Sequence, residues 1–123
     1  MPQLIETPTR IPVPGGKVID EYVGRVTSAT SAVSVARMLA PAGWEEPAQT
    51  PEFDEVTLVL AGTVFVEHDG GSLEVPAGQA VITRAGERVR YRAGPEGAEY
   101  VAVCLPAFDP DLAHRDPEPD RET

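Results

Sequence analysis

At 123 residues, 41% of them apolar, the chain is long enough for one ordinary domain with a buried core. Its formal net charge of −10 argues against nonspecific binding to nucleic acid or to an anionic membrane, since both require phosphates to be neutralised. No apolar run approaches a membrane span, the N-terminus lacks the basic and apolar regions of an export signal, and a single cysteine, Cys104, rules out an intrachain disulfide; a cytoplasmic location is expected.

Taken in chain order, residues 1–31 read as an extended arm that joins the barrel edge. Within it Ile5–Val13 is apolar and broken by prolines, as an edge strand is. Ala32–Ala40 reads as a strand ending at a Pro41-Ala42-Gly43 turn. Val56–Ala61 and Thr63–Glu67 flank Gly62, where a bend or bulge suits a residue without a side chain. Asp69-Gly70-Gly71 is a hairpin signal, followed by a short strand over Ser72–Val75. Pro76-Ala77-Gly78 turns into Ala80–Arg84, Ala85-Gly86-Glu87 turns into Arg88–Arg92, and Gly94-Pro95-Glu96-Gly97 turns into Glu99–Leu105. Helix-period patterns are absent, and no internal repeat is visible. Short strands with regularly spaced turns predict an all-β fold, a double-sheet barrel over residues 32–108. The tail, 109–123, is acidic and proline-rich and reads as loosely ordered.

The glycine framework of this barrel resembles the cupin family. In that family's first motif a glycine is followed by two histidines, a glutamate and a closing glycine; here Gly43, Glu55 and Gly62 fall in register, while Gln49 and Pro51 stand at the histidines. In the second motif Gly78 and Gly86 match, Arg84 stands at the proline, Val89 at the third histidine and Ala93 at the asparagine. Asp54–Gly62 is similar to a familiar cupin strand that ends in this closing glycine. The resemblance spans roughly Ala32–Pro106. It implies a cupin-type double-stranded β-helix, or jelly roll, whose metal site is degenerate. It also implies an N-terminal arm that pairs with a neighbouring subunit, and hence a homodimer.

Three histidines and one glutamate hold the metal in metal-bearing cupins, a donor set that suits first-row transition metals. This chain has two histidines in all, His68 at a strand end and His114 in the tail. The expectation is therefore no metal and no cofactor. Glu55 keeps the family's carboxylate position, and the resemblance points it into the barrel. Without a cationic partner, burial should raise its pKa and leave a carboxyl poised to carry a proton. Gln49 offers an amide to a ligand, Val89 an apolar wall, and Tyr91, two residues on along the same strand face, a phenol. Arg37 sits in an otherwise apolar strand, where it needs a partner: Glu55, a ligand carboxylate or a dimer contact. Trp44 follows a turn at the pocket rim. Arg88, Arg90 and Arg92 alternate with Val89 and Tyr91 and should face outward.

Two functions follow. The first is a cupin barrel that binds a small molecule in an apolar pocket through Gln49, Glu55, Arg37, Trp44, Val89 and Tyr91, without a stoichiometric transition metal. The alternative is an enzyme: a metal-independent isomerase, lyase or cyclase with Glu55 and Tyr91 as catalytic groups, or a metal-dependent cupin with an atypical site. No phosphate-binding loop, dinucleotide fingerprint or zinc-finger spacing is present, and neither nucleic acid nor membrane is expected as a partner.

Overall fold

The structure, a computed structural model, describes residues 1–117; residues 118–123, the end of the expected tail, lie outside the described residues. Among the described residues seven strands carry the fold: β1 (Thr9–Ile11), β2 (Val18–Val23), β3 (Ser34–Ala40), β4 (Asp54–His68), β5 (Gly71–Pro76), β6 (Ala80–Thr83) and β7 (Arg90–Leu105). All pairings are antiparallel. They run in the order β1-β2-β3-β7-β4-β5, with β6 also paired to β4. The fold is all-β, as the turn spacing predicts. Among the described residues no helix is long and apolar enough to cross a membrane.

β4 and β7 are long because each merges two predicted strands through a bulge. On β4 the buried residues are Glu55, Thr57 and Val59 up to the bulge, and Val64 and Val66 after it. The inward set thus switches from odd to even numbers, because register shifts between Val59 and Ala61 and between Gly62 and Val64 add a step to a strand whose side chains alternate with period two. β7 mirrors this. Tyr91 and Ala93 face in before the irregular stretch 94–97, and Ala98, Tyr100, Ala102 and Cys104 face in after it. The Gly94–Gly97 turn expected from the sequence is therefore a bulge inside one strand. Gly62 is obligatory there. Its φ is +72°, and a Cβ on it would lie 2.1 Å from the Gly97 carbonyl oxygen.

These inward faces build the main core, with Val59, Val64, Val66, Val81 and Tyr100 at its centre. A smaller cluster at one end joins Phe53, Cys104 and Ala113, with Phe108 and Leu112 packed on it. That cluster corrects the reading of the tail. Asp109 caps a short helix, α1 (Pro110–Ala113), by accepting from the Asp111 N–H, and Ala113 is buried. Beyond it the Asp116 N–H donates to the Ala48 carbonyl. The described part of the tail is ordered because its apolar side closes the end of the barrel.

The arm is also more than an edge. β1 pairs with β2 and β2 with β3, so Thr9–Val23 forms a hairpin added to the barrel's own sheet. β2 is a strand that the sequence reading left inside an extended arm.

Candidate functional site

A cavity of about 240 Å³ is lined by residues of the arm up to Val13, of β2, β3, β4 and β7, and of the tail. Its walls are mostly apolar: Ile11 and Val13 from the arm, Ile19 from β2, Met38 from β3, Phe108 from the tail. A second, more open recess of about 550 Å³ adjoins it and shares Lys17, Glu46 and Arg115 with it.

Glu55 reaches the cavity because β4 places it in phase with Thr57 and Val59, directly across from Cys104 on β7 and Thr83 on β6. Its carboxyl accepts from the Thr57 hydroxyl at 3.4 Å and from the Cys104 thiol at 3.7 Å. No cation among the described residues forms an ion pair with it. Burial first, and the Glu46 carboxylate second, raise its pKa to about 7; Lys17 opposes them. Tyr91 stands on the same cavity, its hydroxyl 2.8 Å from Thr83 Oγ1. Burial and the Glu55 charge push that phenol upward, so it stays protonated. Cys104 is likewise pushed upward by burial, which leaves a thiol rather than a nucleophile.

Gln49 is 3% exposed. Its backbone is tied to Val89 in both directions, N–H to carbonyl at 2.8 Å and the reverse at 2.9 Å. Gln49 lines the cavity, and its side-chain oxygen, itself fully buried, has no hydrogen-bond donor among the described residues.

Three charged groups that the sequence reading did not single out complete the site. Lys17 precedes β2, Glu46 follows the turn after β3, and Arg115 follows α1. The Lys17 ammonium lies 4.0 Å from Glu46 Oε2, and Arg115 Nη2 lies 3.5 Å from the same oxygen. The Lys17 side chain is only 7% exposed. Its nitrogen sits 4.0 Å from the centroid of the Trp44 ring and 5.4 Å from that of Tyr100. Desolvation, the largest influence, lowers its pKa against the attraction of Glu46 and Glu55.

Glu55, Gln49 and Tyr91 thus meet at one cavity. The other expected residues stand elsewhere. Arg37 faces outward, since it alternates with the inward Ala36 and Met38, and its guanidinium donates to Glu99 at 2.7 Å. It meets neither Glu55 nor the cavity. Val89 is buried in the core behind Gln49 and does not line the cavity. Trp44 forms a wall of the adjoining recess and carries Lys17 on its face. His68 accepts from the Gly70 N–H at the β4–β5 turn, and His114 pairs with Glu52; neither lines the cavity. Arg88, Arg90 and Arg92 face outward to Asp116, Glu45 and Glu67.

The metal of metal-bearing cupins does not fit the donor set of this chain. Its histidine positions carry an amide, an imino acid and an aliphatic chain. Among the described residues no three His, Cys, Asp or Glu side chains converge on one point.

No family model matches the chain. It is 50% identical over 111 residues to a Myxococcus xanthus protein named endoribonuclease YbeY; the match takes in 89% of this chain but spans only 38% of that protein's length. Among solved structures it resembles an oxalate decarboxylase variant of Bacillus subtilis, with 17% identity and a TM-score of 0.76 over 90% of this chain and 31% of that one. It also resembles Pac13 of Streptomyces, described as a nucleoside dehydratase, with 15% identity and a TM-score of 0.74 over 94% of this chain and 90% of that one. Variants of the Streptomyces protein have been solved with uridine. The chain therefore has the cupin-type jelly-roll barrel fold.

Proposed function

We propose that this barrel binds a small, largely apolar organic molecule in the cavity, and does so without a transition metal. The observation that carries the reading is the Gln49 side-chain oxygen. A buried acceptor without a donor costs on the order of 1–3 kcal/mol, which a ligand N–H or O–H recovers when the Gln49 side chain turns its oxygen into the cavity on binding. The apolar walls supply contact area, and the few polar groups fix orientation. The endoribonuclease activity named for the whole Myxococcus protein is not carried over. A chain of net charge −10 with a cavity of about 240 Å³ suits a small molecule better than a polyanionic RNA.

A second reading, an enzyme, is favoured by Glu55. A carboxyl with pKa about 7 can both give and take a proton at neutral pH, and the protonated Tyr91 hydroxyl stands on the same cavity to donate to developing negative charge. The Streptomyces fold neighbour is a dehydratase of a small molecule, which is in keeping with such chemistry in a barrel of this shape. The homodimer and the cytoplasmic location belong to the same proposal.

The test is a fragment screen followed by amide chemical-shift mapping. Hits are expected to perturb Gln49, Glu55, Tyr91 and Tyr100 together. Gln49→Leu, which keeps the bulk and removes the acceptor, should leave melting unchanged or raised and weaken hits that carry a donor by on the order of tenfold. Hits that map to the outer sheet face, or that bind Gln49→Leu equally well, would overturn the reading.

A further inference from the structure

Lys17 is the chain's only lysine; the other nine of its ten basic residues are arginines. Lysine is among the residues least often buried, yet this one has a 7% exposed side chain at the junction of the cavity and its outer recess. A purely electrostatic role, as counterion to Glu46, is already filled by Arg115, which lies closer to the same oxygen. An amine differs from a guanidinium in one respect that matters here: it can lose a proton and act as a nucleophile. Burial of the side chain moves it in that direction, against the attraction of Glu46 and Glu55.

We propose that Lys17 is a carbonyl-reactive amine that forms a reversible imine with a small aldehyde or ketone held in the cavity. The proposal rests on the reading that the cavity binds small molecules, and adds the chemical class of the ligand. The neutral Lys17 nitrogen adds to the carbonyl carbon, and the carbonyl oxygen becomes a hydroxyl. That hydroxyl leaves as water after taking up a proton, and a carbon–nitrogen double bond forms. In sum, an ammonium and a carbonyl give an iminium and one water, with no change of oxidation state. The iminium keeps the positive charge where the ammonium had it, so Glu46 and the faces of Trp44 and Tyr100 stabilise it in turn. The apolar wall of Ile11, Val13 and Ile19 takes the body of the ligand.

Reductive trapping tests this on the whole chain. The protein is incubated at neutral pH with benzaldehyde or butanal and sodium cyanoborohydride, with Nα-acetyllysine amide in the same tube as an ordinary amine. Peptide mapping separates a Lys17 adduct from one on the N-terminal amine. Lys17 should be alkylated on the order of tenfold faster than the reference amine. Benzyl alcohol, which has the size and apolar ring of benzaldehyde but no carbonyl, should compete for the cavity and slow Lys17 and not the reference. Lys17 labelled no faster than the reference, labelled only in denaturant, or unprotected by benzyl alcohol would overturn the proposal. If Lys17 stays silent while fragments still map to Gln49 and Glu55, the imine falls and the binding reading stands.

Discussion

Glu55 is a carboxyl held without a cation in a place that water reaches poorly, and its energetics follow from that. A folded-state pKa raised from 4.5 to about 7 means that folding disfavours the charged form. Its contribution to stability is fully present below about pH 4.5, declines as the pH rises, and is lost above about pH 7. Glu55→Gln removes the titration and keeps the shape. At pH 8 it should therefore melt higher than the parent, by up to about 3 kcal/mol, with the difference closing toward pH 4.5. Thermal melts across that range check the slope. A variant that is less stable at pH 8 would mean that Glu55 serves as a counterion to Lys17. Gln49, Glu55 and Tyr91 were legible in the sequence because the barrel's glycine framework assigns their positions and their strands fix their faces. Lys17, Glu46 and Arg115 were not. They meet from the arm, a turn and the tail, and no local period relates them. The one signal available was compositional: a lone lysine among nine arginines. Arg37 was misplaced because its apolar neighbours suggested an inward strand. The alternation with Ala36 and Met38 turns it outward, to Glu99.

At the scale of elements, the paired bulges of β4 and β7 decide which residues face the cavity. Before Gly62 the odd residues of β4 face in; after it the even ones do. A side chain at Gly62 must adopt φ +72° and displace the Gly97 carbonyl. Gly62→Ala should therefore cost about 2 kcal/mol or more, read as a drop in the denaturation midpoint. Gly43, also at positive φ but with open space around its Cβ direction, is the comparison: Gly43→Ala carries the strain without the clash and should cost less. Equal losses at both sites would remove the bulge from the account. The sequence marked Gly62 as a bend, but not the matching irregularity at 94–97, since a Gly-Pro-Glu-Gly stretch signals a turn wherever it stands. The tail was read as loose from its charge and prolines. Leu112 and Ala113 instead supply the apolar contact that docks it on Phe53 and Cys104.

For the whole molecule, the expected dimer needs a surface. The arm was its sequence-level motive, yet Ile11 and Val13 are spent on the cavity of their own chain. The outer sheet face offers another. Leu58 and Leu60 on β4 and Ile82 on β6 are 42%, 48% and 53% exposed, and the Leu58 and Ile82 strands are paired neighbours. Light scattering should give a dimer, and Leu60→Glu should shift it toward monomer without lowering activity of the cavity in the fragment assay. A monomer at all concentrations would remove the dimer.

The central claim is a ligand cavity that works without a metal. It is tested most directly by measuring the affinity of one mapped fragment for the protein as purified and again after exhaustive chelation, with elemental analysis of both samples. The affinity should agree within about twofold, with no stoichiometric transition metal in either sample. Binding that vanishes on chelation and returns with added iron, manganese, nickel or zinc would contradict it.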